Sequence, residues 1–398
     1  MKNTDPRYWL PDTQLAHLGR NPALHHGTVN TPIYRASTFI WEDNKVLENF
    51  QLNSQNPDFR GHIYGRNGNP TTEAFEDAVA ALEGGFRGLI MPSGLAAIVG
   101  AVLSVAKAGE HILVTDNCYW HARQVFDSVL PRFGVTVTYF DPMRPDEIAR
   151  LIRPQTRAIY LEAPGSNTFE VQDVPALARI AHEHGLAVLM DNTWATPLFF
   201  KSFEHGVDIS IHAATKYLLG HSDAMLGVIV TSRPWYIPVR DLVRDLGYIA
   251  SADDAYLGLR GLRTLSVRLR QHERSALTVA RWLEQRPEIE RVLHPALPGS
   301  VGHHLWKRDF LGSCGLFGFT FKPLPQTAID QFLSSLQLFA QGASWGGYES
   351  LIRQQQPVRS QASSDEEYPL LRIHVGLEAV EDLLADLAQA MNAMASIN

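Results

Sequence analysis

"DVPALARIAHEHGLAVLMD", residues 173–191, contains the two kinds of element from which most of the chain is built. Its first thirteen residues carry a helical pattern. Its last six, "LAVLMD", form a short β-rich run that is apolar nearly throughout and ends on an acid. A strand that is apolar on both faces, next to a helix, belongs in a sheet covered on both sides.

The same texture extends in both directions. "HILVTD" (111–116), "VTVTYF" (135–140), "RAIYLEA" (157–163), "VDISIH" (207–212) and "LGVIVT" (226–231) repeat the strand type, with helical patterns between many of them. Alternation of this kind predicts an α/β fold with a mainly parallel sheet. Upstream, "NPTTEAFEDAVAALEGG" places Phe75, Val79 and Leu82 at helical spacing and stops at Gly84 and Gly85. Residues 1–65 are polar, rich in Pro, Asn and His and weakly periodic, which reads as an arm that packs on something else, such as another subunit. Downstream, a helical stretch runs from about 253 to 284. After Pro287, "GLFGFTF" and "LLRIHVG" read as strands and "AVEDLLADLAQAMNAM" as an amphipathic helix, giving a smaller C-terminal α+β domain. The expected division is an arm over 1–65, a large domain over 66–258 and a C-terminal domain over 259–398.

Composition narrows the function. The 398 residues are 45% hydrophobic and 19% charged, as in a globular protein with a large core. No run approaches the ~18 apolar residues of a membrane span, and the N-terminus lacks the apolar core of a secretory signal. A net charge of −7 argues against a general polyanion binder such as a nucleic-acid protein. Cys118 and Cys314 stand far apart with no metal or redox spacing, so a cytoplasmic location is expected. The pairs His25-His26, His182/His184 and His303-His304 have no acidic or Cys partner at ligand spacing, so no metal site is expected. "MPSGL" lacks the first glycine of a nucleophile elbow, and no Gly-Lys-Ser/Thr marks a nucleotide loop.

Ligands of open α/β sheets sit beyond the carboxyl ends of the strands. Three features fall there: Asp191, the stretch "SIHAATKYLLGHSDAMLG" (210–227) with Lys216 as its one basic residue, and "MPSGLAA" (91–97), which opens a helix. Each alone has an ordinary explanation: a cap, a lysine extending its amine to water, a turn glycine. Together they form a set. The backbone N–H groups of Gly94 and Leu95 at a helix start suit a phosphate, with the Thr215 hydroxyl as an additional ligand. A sequestered lysine tends to lose its proton and become a nucleophile or Schiff base. A phosphate site, an imine-forming lysine and an acid to pair with a pyridine nitrogen match pyridoxal 5′-phosphate (PLP).

The stretch around Lys216 resembles the lysine signature of the Cys/Met-metabolism PLP enzymes, the trans-sulfuration family. "YGRNGNPT" (64–71), "SWGGYESL" (344–351), "LLRIHVGLE" (370–378), "RGLRTLSVRLRQH" and "HPALPGSVGHHLWKRDF" are also similar to family segments, and the likeness runs from about residue 12 to the end. The resemblance implies PLP fold type I, aspartate-aminotransferase-like, with a mainly parallel seven-stranded sheet in the large domain. It also implies roles: Lys216 as the Schiff-base residue, Asp191 on the pyridine nitrogen, Tyr119 stacked on the ring and joining catalysis, and Arg372 on the substrate α-carboxylate. Ser344 and Trp345 would line the substrate beside the lysine. Tyr64 and Arg66 would reach the phosphate in the neighbouring subunit, with Tyr64 also near the substrate. Active sites shared between two subunits, in a homotetramer built as a dimer of dimers, follow from the same likeness.

Within the family the likeness is nearest to the bacterial enzymes that cleave cystathionine by β-elimination. γ-Chemistry needs a second proton removal, at Cβ, and family γ-enzymes commonly carry Glu immediately before the Ser matching Ser344. Here that residue is Ala343, and Trp345 follows the Ser, as in β-lyases. Ala213 replaces a Ser frequent in γ-enzymes, and Ser166 stands where Glu-x-Pro-x-Asn-Pro enzymes have Asn. Asn67 departs the other way, because many bacterial β-lyases have a second Arg there. It leaves open a preference for cystine or other S-substituted cysteines. The expected activity is a PLP-dependent carbon–sulfur lyase producing homocysteine, pyruvate and ammonia from L-cystathionine, as in methionine biosynthesis. A γ-lyase, γ-synthase or O-acylhomoserine sulfhydrylase is the alternative. A PLP-binding regulator is a remoter one, for which the chain shows no added domain or charged tail.

Overall fold

Seven apolar runs pair into one sheet in a computed structural model of the chain, which describes residues 9–360 and 368–395. The strands are β1 (Arg87–Met91), β2 (His111–Thr115), β3 (Thr136–Phe140), β4 (Thr156–Glu162), β5 (Ala187–Asp191), β6 (Ile209–His212) and β7 (Gly227–Thr231). Their order is β1-β7-β6-β5-β4-β2-β3. β7 runs antiparallel to both neighbours, and the remaining pairs are parallel. Every residue of β2, β5 and β7 is buried, because helices cover both faces of the sheet. β4, β5 and β6 lie side by side with their carboxyl ends together, which brings Glu162, Asp191 and the loop after His212 to one edge.

The helix Pro70–Glu83 forms where expected. Asn69 and Thr72 make a reciprocal capping box, Pro70 takes the first turn, and Gly84 ends it at φ 81°. Phe75, Val79 and Leu82 are fully buried in the core beneath the sheet. The helical stretch near 253–284 divides into Ala252–Leu262 and Leu265–Glu284. The interruption falls at Arg263 and Thr264, where Arg263 Nη1 turns to the Leu15 and Leu18 carbonyls at 2.6 and 2.9 Å.

A second sheet is built from β8 (Ile289–Leu293), β9 (Leu316–Phe321), β10 (Ala340–Gln341), β11 (Leu351–Gln355) and β12 (Leu370–His374), in the order β10-β11-β12-β9-β8. Phe317, Phe319, Phe321 and Phe332 fill its core with Leu383 and Leu387 from the last helix, Val380–Ala395.

Residues 9–65 contain more regular structure than their weak periodicity suggests, with helices Pro11–His17 and Asn44–Leu52. Part of this arm packs on its own chain, since Leu15 and Leu18 enter the main core. Other apolar side chains stay uncovered, Ile40 at 97% and Leu52 at 84% exposure. No described helix is long and apolar enough to cross a membrane.

Candidate active site

Asp191 and Glu162 end adjacent parallel strands and face each other directly in the β4–β5 register. Asp191 Oδ1 accepts from the Thr193 N–H at 2.9 Å and the Thr193 hydroxyl at 2.5 Å. Thr193 Oγ1 also accepts the Ala213 N–H at 2.8 Å, joining this strand end to the loop that carries Lys216. Burial raises the pKa of Asp191 above the usual carboxylate value, and the Thr193 donors, then the nearby His212 and Lys216, act in the opposite direction.

Glu162 is a site acid that the sequence reading passed over, although the strand-end rule that found Asp191 points equally to it. Burial, then the charge of Asp191, pushes its carboxyl well above the usual range. Glu162 Oε2 accepts the Tyr119 backbone N–H at 2.7 Å, which fixes Tyr119 at the start of its helix. The Tyr119 phenol is raised by burial and by these two carboxylates.

Lys216 lies in the turn between β6 and β7. Its Nζ donates to Ser344 Oγ at 2.5 Å and stands 5.3 Å from the centre of the Trp345 ring. Burial lowers its pKa to about 8, Arg372 adds to the shift, and Asp191 opposes it. The "SWGG" turn fits closely against the lysine. Ser344 adopts φ 84°, a left-handed conformation rare outside glycine. A Cβ on Gly346 would come within 3.0 Å of Lys216 Cα, C and Cβ. From β12, Arg372 Nη2 donates to the Ser344 carbonyl at 3.2 Å. Burial, then the neighbouring Arg353, lowers the Arg372 pKa to about 10.

The expected phosphate cradle lies next to this group. Ser93 caps the helix Gly94–Val105 through the Ala96 N–H. The Gly94 and Leu95 N–H groups have no acceptor among the described residues, as befits the first turn of a helix. A Cβ on Gly94 would sit 2.5 Å from the Cβ of Ala213, so glycine is what lets the helix start meet the lysine loop. Thr215 is placed in that loop, but its hydroxyl serves the loop itself, donating to the Leu226 carbonyl at 3.0 Å and accepting from the Leu226 N–H at 2.8 Å.

Tyr64 and Arg66 stand apart from the cluster. Arg66 Nη1 donates to the Arg244 carbonyl at 2.9 Å, and its guanidinium lies 5.9 Å from the Tyr64 ring centre. Among the described residues no hydrogen bond or ion pair joins either one to Lys216 or Asp191. A further cluster, not found from sequence, lies behind the strand ends. Fully buried Glu83 holds His212 Nε2 at 3.0 Å, Ser210 Oγ at 2.7 Å and Asn192 Nδ2 at 3.0 Å. Its residues are 83, 192, 210 and 212, so nothing in linear spacing links them.

The donor set fits PLP: a partly buried amine for its aldehyde, a buried acid for its ring nitrogen, and a glycine-opened helix start for its phosphate. Among the described residues no group of three or more His, Cys, Asp or Glu is arranged to hold a metal ion.

Comparison with known proteins agrees with this chemistry. A family profile described as "Cys/Met metabolism PLP-dependent enzyme" matches residues 12–392. A cystathionine beta-lyase of Bordetella avium is 44% identical over 388 residues, 96% of this chain and 97% of the relative. Cystathionine beta-lyase MetC of Escherichia coli (strain K12) is 42% identical over 384 residues, 94% of this chain and 96% of the relative. Among solved structures, that of metB from Corynebacterium glutamicum superimposes with a TM-score of 0.88 at 33% identity, covering 98% of this chain and 99% of that one.

Proposed function

The chain belongs to the Cys/Met-metabolism PLP-dependent enzymes, and from that premise we propose a carbon–sulfur lyase that cleaves L-cystathionine by β-elimination. The products are homocysteine, pyruvate and ammonia. One observation carries the choice of bond. Lys216 is held by Ser344, and the residue before Ser344 is Ala343, where a second proton acceptor would otherwise stand. β-Elimination requires a proton to be taken from Cα alone, whereas γ-elimination also requires one from Cβ. The relatives named cystathionine beta-lyase, at 42% and 44% identity, support the same choice.

Bound PLP supplies the electron sink for the bond broken at the substrate α-carbon. The chain does the rest. Gly94 and Leu95 offer N–H groups to the phosphate, and Thr215 would join them by turning its hydroxyl from Leu226. Asp191 holds the proton on the pyridine nitrogen. Lys216, with its pKa lowered to about 8, is roughly one-tenth uncharged at pH 7, far more than an ordinary lysine. Its Nζ would hold the cofactor aldehyde until the substrate amine takes its place; once freed it would take the α-proton and return a proton to the departing sulfur. Ser344 Oγ fixes the direction of that amine. Arg372 grips the α-carboxylate with its planar fork. Tyr119, pinned by Glu162, covers the ring, and Trp345 walls the substrate beside the lysine.

Assembly follows from the residues left outside the cluster. Tyr64 and Arg66 serve the phosphate of a neighbouring subunit, so the working unit is at least a C2 dimer, and a dimer of dimers accommodates the arm of residues 1–65. The exposed Ile40 and Leu52 support this, because uncovered apolar side chains on an arm mark a contact surface. Cys118 and Cys314 are both free and buried, in keeping with a reducing cytoplasm. Incubation with L-cystathionine and identification of the released thiol tests the activity. Homocysteine is expected, and cysteine would overturn the assignment.

A further inference from the structure

Arg353 on β11 stands directly opposite Arg372 on β12 in their antiparallel register. Directly opposed residues of a ladder project from the same face. The like charges therefore face the same region, an arrangement that costs stability unless something between them compensates. No described residue does so. Arg353 is exposed, and its guanidinium makes no hydrogen bond or ion pair among the described residues. The face in question is turned to the catalytic lysine, because Arg372 reaches the Ser344 carbonyl at 3.2 Å and Ser344 holds Lys216. On the third strand of the same ladder Arg372 is opposed by Gly318, where a Cβ would come within 3.1 Å of the Phe169 ring and 3.3 Å of the Asn167 carbonyl. Next to Arg353 on this face is Gln355, whose Nε2 is buried with no partner. The smaller sheet thus presents two cations and an unused amide donor toward the site. The positive field of Arg353 is also felt by Arg372, after burial, as a lowered pKa.

We propose that Arg353 binds the carboxylate at the far end of the substrate, beyond the sulfur, and so selects thioethers whose leaving group is an acid. This rests on the lyase reading above. Arg372 takes the near carboxylate and Arg353 the distal one, so a dicarboxylate resolves the repulsion that the free chain leaves standing. The complementarity acts in binding, before any bond is broken, so its loss appears chiefly in KM.

The test compares the holoenzyme with Arg353→Leu and Arg353→Lys on two thioethers, L-cystathionine and S-ethyl-L-cysteine, which has no distal carboxylate. Losing a charge-assisted contact predicts that Arg353→Leu lowers kcat/KM for cystathionine about 10- to 100-fold, mostly through KM. S-ethyl-L-cysteine changes less than about threefold, and Arg353→Lys falls between parent and Leu variant. A second readout needs no turnover. Calorimetric binding of suberate and octanoate, a diacid and a monoacid of equal length, should favour suberate in the parent and lose that margin in Arg353→Leu. Equal losses on both thioethers, no loss on either, or a suberate margin that survives the substitution would overturn the assignment. If the parent cleaves neither thioether, the lyase reading fails, while the suberate comparison still decides the role of Arg353.

Discussion

The amine of Lys216 donates to the hydroxyl of Ser344 at 2.5 Å, and Ser344 meets it from a backbone at φ 84°. Such a conformation costs of order 1–3 kcal/mol in a residue with a side chain, and it persists where the surroundings impose it. Here Gly346 lets the turn lie against the lysine backbone. Removing the hydroxyl leaves the amine in place without its orienting partner. Ser344→Ala should lower kcat about 10- to 100-fold with a smaller change in KM, because orientation matters most in the transition state. Steady-state kinetics of the parent and the Ser344→Ala variant checks this, and a loss confined to KM would instead make Ser344 a substrate-holding residue.

The pKa of Lys216, lowered to about 8, predicts how the cofactor-free protein captures PLP. Only the neutral amine attacks the aldehyde. The rate of covalent capture should rise about tenfold per pH unit up to about 8 and then level off, whereas an ordinary lysine would keep rising to about 10.4. Stopped-flow absorbance of the lysine-bound cofactor near ~420 nm follows it, and Lys216→Ala should show no such band. The linkage has a definite sign. A base whose folded pKa is lowered binds fewer protons folded than unfolded, so its cost is fully present below about 8 and is relieved as pH rises toward the ordinary lysine value. The cofactor-free protein gains stability through that window from this group.

Gly94 meets Ala213 with no room for another carbon. Gly94→Ala must push the helix start away from the lysine loop, and with it the Gly94 and Leu95 N–H groups proposed to bind the phosphate. The expected result is a rise of about tenfold or more in the PLP dissociation constant, since each such charge-assisted hydrogen bond contributes roughly 1.5–3 kcal/mol. Equilibrium dialysis of PLP measures it.

The position of Arg66, away from Lys216 in its own chain, predicts complementation between inactive variants. Lys216→Ala and Arg66→Ala homomers should each be nearly inactive. Dissociated and reassembled together, they should recover about a quarter of parental activity, because a mixed dimer rebuilds one of its two sites. Absence of recovery in assembled heteromers would place Arg66 in the service of its own subunit.

The large sheet was legible in the sequence because parallel strands buried on both faces are written as uninterrupted apolar runs, and all six quoted runs became strands of it. β11, "LIRQQ", was not, because a polar strand at the edge of a site does not alternate for the sake of a core. The helix Arg233–Asp245 was hidden by Pro238 in its interior. In the site, Asp191 and Lys216 stood out by residue type and strand-end position. Glu162 followed the same rule but entered no recognised constellation. The Glu83–His212 pair arises from packing of a helix end against a strand end, and the Arg353–Arg372 opposition from strand register; both bring together residues that the sequence keeps apart.

The central claim is that a single proton acceptor, Lys216, directs cleavage to the bond at Cβ. The direct measurement is the keto acid formed from L-cystathionine by the purified PLP-loaded protein. Pyruvate is expected in amounts equal to the homocysteine released, and none in Lys216→Ala. 2-Oxobutyrate as the main product would contradict it and assign the chain to γ-elimination.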